Sequence, residues 1–172
     1  MKSICDKNIV IVIASQLFRD EEFKIPYELF TSCGAKTTIA STSLSEATGK
    51  LGLKVKPDIL INDINQVNFD AIVFVGGPGV KELWDNKNVH KLAVSFFESG
   101  KITAAICSAP VIFSRAGIIE GKKVTSFPGD EAEMLKGKPM YTSAAIQKDG
   151  NIITGNGPLV SQEFAELVIN SL

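Results

Sequence analysis

Hydrophobic and polar positions along the chain switch repeatedly between a strand pattern and a helix pattern. Residues 8–14 (NIVIVIA) form a continuous, mostly β-branched run, as expected of a strand covered on both faces. Residues 20–33 follow as a helix, with acidic residues in the first turn and Gly34 as a stop. Residues 35–41 read as the second strand. The stretch 42–68 is less regular, with 54–57 and 58–61 as short edge strands. Residues 71–75 (AIVFV) are another buried strand, ending in Gly76-Gly77-Pro78-Gly79.

The second half continues the alternation. Residues 86–99 are an amphipathic helix with Val89, Leu92, Ala93, Phe96 and Phe97 on one face. Residues 102–106 predict a strand, 109–116 a helix, 123–127 a strand and 130–136 a short helix closed by Gly137. Residues 144–154 carry a hairpin signal centred on Asp149-Gly150, and Pro158 starts a last helix striped with Val160, Phe164, Leu167 and Val168. Repeated strand–helix units predict an α/β fold: a mostly parallel sheet with helices on both faces. Ligands of such sheets sit at the carboxyl ends of the strands, where the Gly-rich turn and the turn at Cys107 both fall.

At 172 residues the chain suits one domain, 1–172, able to bury roughly 70% of its unfolded surface without disulfides or metal. A net charge of −1, with no basic run, gives no reason to propose a nucleic-acid partner. The apolar run 9–14 is too short for a secretion signal or a membrane span, so the expected address is the cytoplasm. Cys5, Cys33 and Cys107 have no paired spacing, which argues against a disulfide framework. With one histidine, His90, they do not compose a zinc site. Beside the apolar stripe of its helix, His90 is expected at the surface.

The candidate chemistry centres on Ala105-Ile106-Cys107-Ser108-Ala109-Pro110. A nucleophile elbow needs a sharp strand-to-helix turn with small residues two before and two after the nucleophile, and Ala105 and Ala109 meet that demand. A cysteine at a helix N-terminus is expected to have a lowered pKa. The alternative is a buried, inert cysteine. Gly76-Gly77-Pro78-Gly79 matches neither a dinucleotide fingerprint nor a P-loop. It is a tight turn or a source of backbone N–H groups aimed at an oxyanion near Cys107. Glu22 and Glu21 read as dipole-favouring surface charges, unless Glu22 lies beside Cys107. There its pKa would rise, and it could donate a proton to the sulfur.

Through Glu22-Phe23-Lys24-Ile25-Pro26, Val75-Gly76-Gly77-Pro78-Gly79, Ala104-Ala105-Ile106-Cys107, Lys148-Asp149-Gly150 and Gly157-Pro158, the chain resembles the ThiJ/PfpI superfamily. The likeness covers nearly the whole chain. It implies a flavodoxin-like three-layer sandwich and a homodimer. It also implies Cys107 as nucleophile, Glu22 as its protonated carboxyl partner, and the N–H groups of Gly77 and Ser108 as an oxyanion site. The superfamily's peptidase-like members have histidine after the cysteine, where this chain has Ser108. The parkinsonism-associated member has histidine at the position of Phe127, and a further helix beyond the position of Leu172. No histidine follows His90. These departures argue against Cys–His proteolysis and glutamine hydrolysis.

The function the resemblance implies is a cysteine-dependent enzyme acting on reactive dicarbonyls or glycated adducts, in the manner of glyoxalase III or a deglycase, with no metal or organic cofactor. One alternative is a redox sensor or oxidative-stress chaperone working through Cys107 oxidation. Another is a small-molecule hydrolase or hydratase in which Ser108 positions water.

Overall fold

In the computed structural model, which describes residues 2–172, the first β-branched run becomes β1 (Asn8–Val12), a central strand. Ile9 and Ile11 enter one core while Val10 and Val12 enter the other. A strand without polar alternation requires this double covering. Next come β2 (Gln16–Phe18), α1 (Asp20–Ser32), β3 (Lys36–Ser41), β4 (Ala47–Gly49), β5 (Lys54–Val55) and β6 (Ile59–Leu60). β7 (Ala71–Phe74), α2 (Lys87–Glu98), β8 (Ile102–Ile106) and α3 (Val111–Ala116) follow. The chain continues with β9 (Lys123–Val124), α4 (Glu131–Leu135), β10 (Met140–Tyr141), β11 (Ile146–Asp149), β12 (Ile152–Gly155) and α5 (Ser161–Ser171).

Seven strands form the main sheet in the order β11-β12-β8-β7-β1-β3-β6. Every neighbouring pair is parallel except the β11–β12 hairpin. Phe23 and Phe30 of α1 and Phe164 and Val168 of α5 belong to the core on one face. Val89, Ala93 and Phe96 of α2, with Ile112 and Phe113 of α3, fill the other. This is the flavodoxin-like three-layer arrangement. α2 starts one residue later than the pattern predicts because Asn86 caps it, accepting from the N–H groups of Asn88 and Val89.

Four local differences bear on the site. The stretch 123–127 is strand only at Lys123 and Val124, which pair with β10 outside the main sheet. Beyond them the Thr125 N–H goes to Thr154 Oγ1 and the Phe127 N–H to Cys107 O, so the backbone leaves any ladder before Pro128. α3 begins at Val111, two residues later than expected. β2 and β4, which no sequence pattern marks, join β5 in a small three-stranded sheet beside α1. His90 is buried, 8% exposed, and its Nε2 lies 2.6 Å from Trp84 O. The expectation of a surface histidine fails because the segment before α2 folds back over that face of the helix.

Candidate active site

Cys107 follows the last residue of β8 and is held by both neighbours. Its N–H donates to Gly155 O (2.8 Å), and its carbonyl accepts from the Phe127 N–H (2.7 Å). Its φ is +64°, a left-handed conformation that is strained for a residue with a Cβ, by about 1–3 kcal/mol. Ala105 and Ala109 are fully buried on either side, where larger side chains would block so tight a turn. The expected elbow is therefore present.

The expected lowering of the Cys107 pKa is not. Burial pushes the thiol up, and the Glu22 carboxylate pushes it further, to about 12, against the Gly77 N–H and Ser108, which favour the thiolate. The helix expected to lower it starts late and is six residues long, too little to outweigh a side chain only 7% exposed.

Glu22, in the first turn of α1, has no exposed surface, so it is not a dipole-favouring surface charge. Its Oε2 accepts from the Gly76 N–H at 3.0 Å. Its Oε1 is buried without a hydrogen-bond partner, and the carboxyl as a whole interacts with the Cys107 side chain. Burial raises this carboxyl to about 7, although Cys107, the Gly76 N–H and the Arg19 guanidinium each favour its ionised form. Two buried acids in contact titrate as a pair. The pair gives up one proton near neutrality and holds the second strongly.

That coupling predicts a pH dependence of stability. Between the ordinary value of 4.5 and the folded value of about 7, the unfolded chain ionises Glu22 while the folded protein keeps it protonated. Stability from this group is complete below 4.5 and is lost as pH rises through 7, by about 3 kcal/mol in all. Urea unfolding across that range should show the decline in the unmodified protein and not in Glu22→Gln. Parallel curves would contradict it.

The turn after β7 supplies the room. A Cβ on Gly76 would stand 2.6 Å from Cys107 Cβ, 2.6 Å from Ile106 O and 2.7 Å from Glu22 Oε2. Gly77, at φ +100°, turns its N–H toward the Cys107 sulfur. Gly76→Ala should therefore lose about 1–3 kcal/mol of stability and pry Glu22 from Cys107. A lowered urea midpoint together with a changed Cys107 alkylation rate is the expected result; an unchanged rate would show that the contact survives.

Ser108 Oγ is 4.0 Å from the sulfur, and the Ser108 N–H has no acceptor among the described residues. Cys107, Glu22, Gly77 and Ser108 are thus brought together at the carboxyl edge of the sheet. Cys107, Gly77 and Ser108 face a cavity of about 360 Å³, also lined by Arg19, Lys50, Lys81, Phe127, Asp130 and Pro158, while Glu22 is fully buried and forms no part of its wall. From sequence, Phe127 stood out only as a departure from the superfamily and Pro158 only as a motif residue and helix start; none of the six was marked as a wall of the site, since only the tertiary fold gathers them. Glu21 grips Arg19 through two bonds of 2.8 and 3.0 Å. Asp20 accepts from the N–H groups of Leu51 and Leu53, both at 2.8 Å, and so fixes the turn that carries Lys50. Cys5 and Cys33 sit at the opposite, amino-terminal end of the sheet, among the residues of another cavity. Among the described residues, no three His, Cys, Asp or Glu side chains are placed to hold a metal ion.

A parallel α/β sandwich with a cysteine on a strained elbow, a buried glutamic acid against it and N–H groups alongside defines the class. The chain belongs to the DJ-1/PfpI family, whose sequence model it matches over residues 7–171. It is 39% identical over 167 residues to protein MJ0967 of Methanocaldococcus jannaschii, covering 95% of this chain and 82% of that one. It is 32% identical over 149 residues to Deglycase PH1704 of Pyrococcus horikoshii, covering 87% and 90%. Among solved structures, the ThiJ/PfpI domain protein from Brachyspira murdochii superposes with a TM-score of 0.94 at 39% identity, covering 100% of this chain and 99% of that chain. No helix among the described residues is long and apolar enough to cross a membrane.

Proposed function

We propose that the chain is a cysteine-dependent enzyme of stress protection that converts reactive dicarbonyls or their glycated adducts without a metal or organic cofactor. The observation that carries this reading is the buried Glu22–Cys107 pair on an elbow open to the cavity. Relatives named as deglycases support it.

On methylglyoxal, Cys107 sulfur attacks the aldehyde carbon, a C–S bond forms and the thiol proton passes to Glu22. The aldehyde oxygen, held by the N–H groups of Gly77 and Ser108, takes up that proton from Glu22 to give a hemithioacetal, which leaves Glu22 ionised again. Glu22 next removes the hydrogen from the former aldehyde carbon. A proton returned to the neighbouring carbon completes an internal redox exchange that leaves a lactoyl thioester. Water hydrolyses the thioester, restoring the thiol and releasing lactate. The overall change is addition of one water, with no external oxidant or reductant. A carboxyl near 7 suits both taking and giving protons at neutral pH. The homodimer is part of this reading, and sedimentation equilibrium tests it.

The decisive experiment incubates purified protein with methylglyoxal in the absence of glutathione and measures lactate. Lactate formation at a rate proportional to enzyme is the expected result, and its absence would overturn the reading.

A further inference from the structure

Methylglyoxal leaves most of the cavity unexplained. Its volume of about 360 Å³ falls in the range of pockets that enclose whole ligands, roughly 300–1,000 Å³. A three-carbon dicarbonyl fills a small part of it.

The unused part is polar in a particular way. Asp130 lines the cavity and is 6% exposed. It occupies the N-cap of α4, where an aspartate ordinarily accepts from the helix N–H groups, yet it makes no capping bond. Its Oδ2 is buried without a hydrogen-bond partner. A buried acceptor left unmatched is costly, and a ligand donor would relieve it.

Opposite in charge, Lys50 and Lys81 line the same cavity. Neither has an acidic partner among the described residues. Both are carried on anchored backbone. The Lys50 N–H donates to Phe18 O (2.8 Å) within the turn that buried Asp20 clamps. Lys81 Nζ sits 5.1 Å from the ring centre of Trp84, whose indole N–H donates to Ser108 O. Arg19 is already engaged by Glu21.

We infer that the cavity takes a carbonyl compound bearing an oxyanion at one end, carboxylate or phosphate, and a hydroxyl group near the reacting carbon. The oxyanion goes to Lys50 and Lys81, the hydroxyl donates to Asp130, and the carbonyl lies at Cys107. This rests on the reading that Cys107 attacks a carbonyl, and it narrows the substrate to anionic, hydroxylated carbonyl compounds.

The test is chosen to be independent of turnover. Iodoacetate and iodoacetamide both alkylate a thiol, sulfur displacing iodide, but only the first is an anion. Mass spectrometry of the Cys107 peptide gives the iodoacetate/iodoacetamide rate ratio, with exposed Cys5 in the same molecule as the reference thiol. The ratio at Cys107 should exceed that at Cys5 by about fivefold to tenfold, from one or two exposed charge contacts. It should fall toward the Cys5 value in the Lys50→Gln, Lys81→Gln double variant and at about 0.5 M salt. Equal ratios at the two cysteines, or a ratio the double variant leaves unchanged, would overturn the oxyanion site.

Protection of Cys107 from iodoacetamide tests the hydroxyl. Glycerate or glycerol 3-phosphate should protect at about tenfold lower concentration than propionate, and Asp130→Ala should erase that advantage. Whichever of the two hydroxylated anions protects better identifies carboxylate or phosphate as the natural terminus. Equal protection by propionate, or an advantage that survives Asp130→Ala, would overturn the role of Asp130. A protein that makes lactate from methylglyoxal but shows no anion preference sinks this inference alone. One that prefers anions but turns over no dicarbonyl sinks the proposed function instead.

Discussion

With Cys107 replaced by alanine, the protein folds and loses lactate formation from methylglyoxal by at least about 10⁴-fold. Alanine keeps a Cβ at the left-handed elbow, so it adds no strain to the φ of +64° already present. Losing one buried sulfur should cost roughly 1 kcal/mol, within reach of a folded state. Cys107→Ser is the stricter test because it keeps a hydroxyl in almost the same volume. A hydroxyl is a far weaker acid than a thiol, and Glu22 near 7 cannot ionise it effectively, so serine should be inactive as well. Cys5→Ser, at the exposed amino-terminal end of the sheet, is the matched control and should keep full turnover. Progress curves for the three variants at equal concentration decide the matter. Retention of activity in Cys107→Ala would remove sulfur from the chemistry.

The same experiment bears on oxidation. Gly77 and Ser108 stand where the oxygens of an oxidised Cys107 would need donors. A redox role predicts that peroxide modifies Cys107 and changes partner binding, with catalysis incidental. Substitution of Cys107 abolishes both outcomes, so only turnover by the reduced protein separates them.

How far the sequence could lead depends on the range of the interactions. β1, β7 and β8 were legible because burial on both faces leaves a local signature, a run made almost wholly of Ile, Val, Phe and Ala, with only Asn8 and Thr103 outside that set. The elbow was legible because its steric demand falls on residues two either side of Cys107. The Cys107 pKa was not, because the expectation rested on the helix that follows. Burial and Glu22, 85 positions earlier in the chain, act more strongly through space. His90 misleads, and Asp130 goes unmarked, for a related reason. Each sits at an amphipathic boundary or a helix start, and its true environment is made by segments remote in sequence. Asp20, Glu21 and Glu22 look alike as an acidic first turn. In the fold they do three different things: anchor the Lys50 turn, hold Arg19, and face Cys107.

That division of labour shapes the test of Glu22. Glu22→Gln should fold at least as well as the unmodified protein at neutral pH, since it replaces a buried ionisable group with a neutral one of the same shape. Glutamine can still offer its amide oxygen or N–H to Gly76 and Cys107, but it can neither take the thiol proton nor move a proton from the former aldehyde carbon to its neighbour. Turnover of methylglyoxal should therefore fall by about 10²–10⁴-fold, the usual worth of general acid–base catalysis. Removal of the carboxylate also lifts one of the causes that hold the Cys107 pKa up, so the Cys107 thiolate should form at lower pH than in the unmodified protein. Faster alkylation with slower turnover is the signature sought: the sulfur is more available and the reaction is worse. The pH profile supplies the second reading. In the unmodified protein, kcat/KM should rise through about 7 as Glu22 becomes a base, and Glu22→Gln should lack that limb. Glu21 is a poor control because its loss frees Arg19 at the cavity wall. Glu28, exposed on the same helix and paired only loosely with Lys24 at 3.9 Å, is the better one, and Glu28→Gln should change neither turnover nor the pH limb. If Glu22→Gln and Glu28→Gln behave alike, Glu22 handles no protons, and the reaction at Cys107 must draw them from another donor.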